Sequence, residues 1–357
     1  MDSTPAADER TSAAIAHWAP RFVSNGIPLH DFTVTTASVH EWSQWCARWV
    51  ERGRVHEELG DQALTDGHTR SAGEHLRRAA LCYHFGAFLF VEHTDEMFAA
   101  HAQAVAAYNR ALPHLDPPGR RIEIPYQGSH LVGVLRVPDV PAPPPVVVMV
   151  AGLDSTKEEM GAYEEHLHQR GLATLAFDGP GQGEAQRHLP MRPDFEVPVG
   201  AVVDHLATLP EVAQRVGIYG VSLGGHYVVR ATAFEPRIAA CASISGSYRV
   251  ADNWEGRPPM TRAAYRVRAH LASDEATARF VERLDLSGVA GRATAPLYVV
   301  AGTADRLTPH TAGIRIADEA AGPTVLDVVE GGNHVVNNMP YRYRPQVADW
   351  MNHRLRS

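Results

Sequence analysis

From Val146 onward, six short apolar runs recur, with helical stretches between most of them: Val146–Val150, Ala173–Phe177, Val216–Tyr219, Ile238–Ile244, Leu297–Ala301 and Val325–Val329. A continuous apolar run suits a strand covered on both faces. Strand alternating with helix implies a mostly parallel sheet with helices on either side, because a parallel crossover needs a helix-length connection. Two more strands, Arg121–Pro125 and Leu131–Val137, joined at Gln127-Gly128, precede the run series and complete an eight-stranded α/β sheet. Ligands of such sheets bind beyond the carboxyl ends of the strands. Chemistry is therefore sought in the residues that follow each run.

Three of those positions fit one reaction. Gly220-Val221-Ser222-Leu223-Gly224 follows the Val216–Tyr219 run and reads as a nucleophile elbow, a strained strand-to-helix turn whose neighbours must be small. Asp305 follows Leu297–Ala301, and His334 follows Val325–Val329 within Gly331-Gly332-Asn333-His334. Serine first, acid second and histidine last is the chain order of α/β-hydrolases. Ser222 is inert until a base takes its proton. His334 has the residue type to take and return it, and Asp305 to orient and stabilise the imidazolium. An oxyanion hole needs two backbone N–H groups. Leu223, next to the nucleophile, supplies one, and Leu153 in Ala151-Gly152-Leu153-Asp154 is the candidate for the other.

Several neighbouring residues have structural readings beside functional ones. Ser155 and Glu158 are spaced as a capping box for the helix that follows, with a site role for Asp154 or Lys157 as the alternative. Phe177-Asp178-Gly179-Pro180-Gly181-Gln182-Gly183-Glu184 is glycine-rich but lacks the spacing of a nucleotide-binding loop. It reads as a shaped turn at the rim, with Asp178 and Glu184 as possible supporting groups. Asp252-Asn253-Trp254-Glu255 brings acids and an aromatic toward the same rim, so Trp254 and Glu255 join Asp154 and Asp178 as candidate substrate contacts. Residues 247 to about 292 read as an exposed, arginine-rich helical insertion.

Residues 1–118 have a different character. Trp42, Trp45, Cys46 and Trp49 fall at i, i+3, i+4 and i+7, and Leu76, Ala80, Tyr83, Ala87 and Phe90 continue the theme. Ala99 to Leu112 suggests a third helix. The first dozen residues read as disordered, and Met1–Pro5 does not begin a signal peptide. His114-Leu-Asp-Pro-Pro-Gly119 marks the boundary with the sheet-bearing domain, 119–357.

A net charge of −8, with no basic stripe, argues against nucleic acid as a partner. No apolar run is long enough to suggest a membrane span. Cys46, Cys82 and Cys241 lie far apart, which suits reduced thiols in the cytoplasm. The twenty histidines are scattered and show no metal-ligand spacing, and no cofactor is expected. Lys157 is the sole lysine among 33 basic residues. Codon composition accounts for that bias. The sharper reading is that arginine's planar fork would not serve at position 157.

Ala151–Glu159, Phe177–Glu184, Gly220–Tyr227, Glu235-Pro236-Arg237 and Gly331–His334 together resemble one branch of the α/β-hydrolases. It includes the 2,6-dihydroxypseudooxynicotine hydrolases of nicotine catabolism and fungal hydrolases that shorten polyketides. The resemblance covers most of the chain. It implies an α/β-hydrolase core with an all-helical N-terminal cap domain over the active site, homodimers, and cleavage of a carbon–carbon bond next to a ketone. Ser222 would attack the ketone and His334 would protonate the departing carbanion of an aromatic or polyketide-like small molecule. The family also implies an additional acid near the substrate ring, for which Glu255 and Asp252 fall in the right region. Carboxylesterase, thioesterase or acyltransferase activity needs the same groups and stays open, as does a non-hydrolytic or ligand-binding role on this fold.

Overall fold

The computed structural model describes residues 8–357, and its contacts divide the chain into two units, one ending at Pro118 and one running from Gly119 to Ser357. The N-terminal unit contains α1 (Glu9–Ser24), α2 (Leu29–Ala37), α3 (Trp45–Thr65), α4 (Thr69–Ala87) and α5 (Thr94–Ala111). The expectation of a disordered first dozen residues fails from Asp8 onward. Asp8 caps α1 by accepting the Thr11 N–H at 2.7 Å, an arrangement that stabilises a helix start. The rest of that expectation, and Met1–Pro5, lie outside the described residues.

Trp42, Trp45, Cys46 and Trp49 are all buried, although Trp42 sits in a 3-10 turn ahead of α3 rather than in the helix itself. Phe22 of α1 stacks on Phe85 of α4 at 3.8 Å between ring centroids, with Trp45 and Trp49 against its other sides. The Trp45 indole N–H donates to the Phe85 carbonyl at 2.8 Å, so this apolar core leaves that polar group satisfied.

The second unit is built on β1 (Gly119–Tyr126), β2 (Ser129–Arg136), β3 (Val146–Val150), β4 (Ala173–Asp178), β5 (Val216–Val221), β6 (Ile238–Ile244), β7 (Leu297–Gly302) and β8 (Thr324–Val329). Their order in the sheet is β1-β2-β4-β3-β5-β6-β7-β8. Only the β1–β2 and β2–β4 pairings are antiparallel. The helices are α6 (Gly161–His168), α7 (Glu196–Leu206), α8 (Leu223–Phe234), α9 (Pro259–Arg268), α10 (Asp274–Val281), α11 (His310–Glu319) and α12 (Arg344–Arg356). Successive strand residues point to opposite faces. Thus Met149, Tyr219, Val221, Ala242 and Val300 meet Tyr163 and Leu167 of α6 and Val347, Met351 and Leu355 of α12 in one core layer. Helix α8 packs against β5 and β6, and α7 packs on α8. Strand β8 pairs only with β7, and as an edge strand it leaves Val325, Leu326 and Val328 exposed.

The insertion carries α9 and α10 but is less exposed than its arginine content suggests. Arg257 and Arg268 are both buried. Arg268 donates from Nη1 to the Gly181 carbonyl at 3.1 Å, and its own carbonyl accepts the Met191 N–H at 2.8 Å. The insertion is thereby stitched to the glycine-rich loop after β4.

Candidate active site

Ser222 lies between β5 and α8 with φ 57° and ψ −121°, a left-handed conformation that side-chain-bearing residues rarely adopt. Its N–H donates to the Ile244 carbonyl of β6 at 2.8 Å, which anchors the turn to the neighbouring strand. The flanking glycines have a steric cause. A Cβ on Gly220 would lie 2.2 Å from the Gly224 carbonyl oxygen, and one on Gly224 would lie 2.2 Å from that of Val150. Strand β5 therefore turns into α8 within one residue, and the serine stands at the strand's carboxyl end.

The partner residues come from the next loops along the sheet. Asp305 follows β7, with its side chain fully buried, and its Oδ1 accepts the N–H groups of Leu307 (2.8 Å) and Thr308 (2.9 Å). Its Oδ2 lies 2.8 Å from His334 Nδ1, and His334 Nε2 lies 2.7 Å from Ser222 Oγ. Burial pushes the Asp305 carboxyl upward. The His334 charge and hydrogen bond, with the two backbone donors, more than offset this and hold it below the usual carboxylate range. The three side chains form one hydrogen-bonded run, in the geometry that lets a histidine take a serine's proton.

The loop carrying His334 is tied down by residues the sequence reading did not single out. Asn333 N–H donates to Asn338 Oδ1 (3.0 Å), Asn338 N–H returns the bond to Asn333 Oδ1 (3.1 Å), and Asn338 Nδ2 donates to the Gly331 carbonyl (2.9 Å). Ser245, just past β6, accepts the Val335 N–H at 3.0 Å. Paired asparagines around a glycine turn were the available signal.

A second group of unrecognised contacts sets the loop after β3. A Cβ on Gly152 would lie 3.2 Å from Ser222 Cβ, so this loop passes directly over the serine. Gln182, buried in the glycine-rich loop, donates from Nε2 to the carbonyls of Ala151 (2.7 Å) and Gly152 (3.2 Å), while its Oε1 accepts the Gly179 N–H (3.0 Å). The Gly152 carbonyl shares its peptide plane with the Leu153 N–H, and in a trans peptide the two point opposite ways. Gln182 thus fixes the direction of the N–H that Leu153 presents. Leu223 opens α8, where the first N–H groups have no partner within the helix.

Lys157 is 1% exposed, and three carboxylates surround its Nζ: Glu158 at 2.6 Å, Asp178 at 2.8 Å and Glu184 at 2.8 Å. The contact with Asp178 is a hydrogen bond, and the other two are close ion pairs around one compact charge, which a planar guanidinium in the same space does not match. Burial lowers the lysine's pKa, but the three carboxylates outweigh it and hold the ammonium above its ordinary range.

Two sequence expectations are corrected at this cluster. Ser155 and Glu158 do not form a capping box: the turn Lys157–Glu159 starts after Thr156, no side chain caps it, and Glu158 turns to Lys157. Asp178 is not a substrate contact. It is fully buried, and accepts from Lys157 N–H (3.0 Å), Lys157 Nζ (2.8 Å) and Glu184 N–H (3.0 Å).

The other candidate contacts divide. Glu255 is not brought to the triad, its side chain being 87% exposed and paired with Arg262 at 3.0 Å. Asp252 is likewise spent on Arg249, at 3.2 Å. Trp254 is half-buried and meets Tyr265 edge-on at 5.5 Å. Asp154, half-buried behind Leu153, carries a charge that raises the Tyr265 phenol, whose main upward push is burial. The glycine-rich loop spends its amides internally, with Gly181 N–H on the Leu189 carbonyl and Gln182 N–H on that of Gly179, which is consistent with a shaped turn rather than a phosphate cradle. Among the described residues, no helix is long and apolar enough to cross a membrane.

Comparison with known proteins agrees with this fold. The chain is 33% identical over 333 residues to the 2,6-dihydropseudooxynicotine hydrolase of Paenarthrobacter nicotinovorans, covering 93% of this chain and 90% of that protein. The solved 2,6-dihydroxy-pseudo-oxynicotine hydrolase superposes with a TM-score of 0.87 at 31% identity, over 94% of this chain and 95% of that one. The hydrolyase poxO of Penicillium oxalicum is 35% identical over 227 residues, 59% of this chain. The present chain spans about half of that fungal protein's length, 53%. A family profile described as "Esterase FrsA-like" matches residues 29–356. With sheet order, elbow and profile in agreement, the chain belongs to the FrsA-like esterase family of α/β-hydrolases.

Proposed function

We propose that this protein is a serine-dependent hydrolase that cleaves a carbon–carbon bond next to a ketone in an aromatic or polyketide-like small molecule. The observation that carries the reading is the unbroken run from Asp305 Oδ2 through His334 to Ser222 Oγ at 2.8 and 2.7 Å. Ser222 Oγ attacks the ketone carbon as its proton passes to His334 Nε2, and Asp305 stabilises the imidazolium. The Leu223 and Leu153 N–H groups receive the oxyanion. When the tetrahedral intermediate collapses, the C–C bond breaks and its electron pair leaves with a carbon whose neighbouring ring or carbonyl delocalises it. His334 returns the proton to that carbon. Water, activated by the same histidine, then hydrolyses the acyl-serine to an acid and frees the hydroxyl.

A panel of β-diketones and acylphenols tests the reading, with products resolved by mass spectrometry and Ser222→Ala as the control. Ser222-dependent cleavage of a ketone supports it. Brisk ester turnover with no ketone cleavage would refute it. That outcome is the second reading, a carboxylesterase, thioesterase or acyltransferase, which the family's esterase description favours. Added alcohol as acceptor separates hydrolysis from transfer. A homodimer in the cytoplasm belongs to the same proposal. Resemblance supports the first part, and three free, buried cysteines suit the second. Light scattering and fractionation test these.

A further inference from the structure

Arg257 is a buried cation that no acid of the described protein meets. It lies between the 3-10 turn Val250–Asn253 and α9, 6% exposed. Its Nη2 donates to Ser247 Oγ at 3.3 Å, its Nε is buried without an acceptor, and its guanidinium carbon is 5.9 Å from the Tyr265 ring centroid. A guanidinium carries five N–H donors, and among the described residues this one has a single acceptor. One hydroxyl and one aromatic ring do not balance a desolvated charge. A buried arginine is ordinarily held by a carboxylate.

The position of this unspent charge is informative. Ser247 Oγ, its acceptor, is 3.2 Å from Thr308 Oγ1, and the Thr308 N–H donates to Asp305 Oδ1. The Ser247 carbonyl is 2.9 Å from His226 Nδ1, on the helix that begins beside the nucleophile. Arg257 is thus linked to the acid of the triad through the Ser247 and Thr308 hydroxyls and then the Thr308 backbone N–H, on the loops that follow β6 and β7.

We propose that Arg257 binds a carboxylate carried by the substrate, so that this enzyme selects acid-bearing substrates over their neutral analogues. The proposal rests on Ser222 being the nucleophile and narrows the substrate class of that same site. A carboxylate supplies the two coplanar acceptors that a guanidinium fork matches, and it brings the missing counter-charge only when substrate is bound.

The test uses 4-nitrophenyl monoesters of adipic, pimelic and suberic acids, each paired with the same ester methylated at its distal carboxylate. Rates are measured at low salt and corrected with Ser222→Ala. At the best chain length the native protein should prefer the free acid at least tenfold in kcat/KM. In Arg257→Met that ratio should fall at least tenfold through KM, and Arg257→Lys should restore part of it. If the Met variant does not fold, competition on the native protein replaces it: adipate should inhibit at concentrations at least tenfold below adipamide. Indifference of the native protein to the distal charge at every length, equal inhibition by acid and amide, or a ratio unchanged in Arg257→Met would overturn the proposal. If neither ester series is turned over, the adipate and adipamide competition is read against a ketone that the panel shows to be cleaved, and absence of Ser222-dependent turnover of esters and ketones alike would instead remove the functional reading beneath it.

Discussion

Replacing Lys157 with methionine is the most informative single perturbation of the site's scaffold. Methionine keeps most of the volume and removes the charge. Three carboxylates within 2.8 Å lose their shared cation, while Glu184 retains Arg121 at 2.9 Å. Asp178 keeps the two backbone donors, but its side chain and that of Glu158 stay at or near zero exposure. Removing one partner of a buried ion pair costs about 3–5 kcal/mol. At about 2–4 °C per kcal/mol for a domain of this size, the melting midpoint should fall by about 6–20 °C. The pH dependence identifies the cause. The native lysine is held above its ordinary range, so its contribution is complete at neutral pH and is lost only as pH rises beyond lysine's own titration. The variant relieves its abandoned carboxylates only by taking up protons, so its deficit should be smaller at pH 5 than at pH 8. Denaturant titrations of both proteins at the two pH values measure this. A deficit below about 1 kcal/mol, or one that does not grow with pH, would refute the reasoning. Lys157→Arg should also be destabilised, by about 1–3 kcal/mol, because the cavity is filled by one ammonium.

Gln182→Leu removes the contact that fixes the Gly152–Leu153 peptide plane. It should lower kcat by about 10–100-fold with little change in KM, up to the loss of a whole oxyanion donor, and an unaltered kcat in steady-state assays would argue against Leu153 as that donor. Asp305→Asn should cost roughly 10⁴-fold in kcat while preserving the fold; a decrease under tenfold, with circular dichroism unchanged, would contradict its role. His168 and His226 are pushed down to about 2 and about 4, in both cases chiefly by burial. Each is therefore neutral when folded, and stability complete above an unfolded histidine's pKa is lost as pH falls through the window below about 6.5. Denaturant melts between pH 6 and 5 should lose about 2–3 kcal/mol per pH unit, and His226→Gln should roughly halve that slope.

The sheet, and the three side chains that the structure brings into one hydrogen-bonded run, were legible because each signal is local. Every strand from Val146 on is an apolar run, and Ser222, Asp305 and His334 each stand a few residues beyond one. The scaffold behind them was not legible. The four residues of the Lys157 cluster come from the turn after β3, the last residue of β4 and the turn beyond it, which meet because β4 lies beside β3, and spacing along the chain does not reveal that register. The capping-box reading failed for the same reason, since a local pattern competed with a stronger nonlocal ion pair. In the N-terminal unit, α3 to α5 followed from apolar periodicity. Helix α1 carries a comparable stripe at Ala14, Trp18 and Phe22, but Pro20 breaks the local helix signal. Helix α2 is rich in threonine, a poor helix former, and owes its place to tertiary contacts.

Lys157 and Arg257 are both buried cations in the loops at one end of the sheet, and the difference in their partners separates scaffold from recognition. Three carboxylates surround the lysine's charge, so it has none left for a ligand and serves to join the loop after β3 to the end of β4 and the turn beyond it. The arginine meets one hydroxyl and an aromatic ring, so most of its hydrogen-bonding capacity is unspent. An uncompensated buried charge is costly, so the state of the protein that compensates it matters. At the lysine that state is the folded chain itself, which is why its removal should register in stability at every substrate concentration. At the arginine the compensating state is the complex with substrate, so its removal should register in the discrimination between charged and neutral acyl groups. Double substitution tests this division of labour. The stability loss of Lys157→Met and the selectivity loss of Arg257→Met should add without interaction, because neither residue shares a partner with the other. A coupling energy above about 1 kcal/mol in that cycle would show instead that the two cations belong to one network.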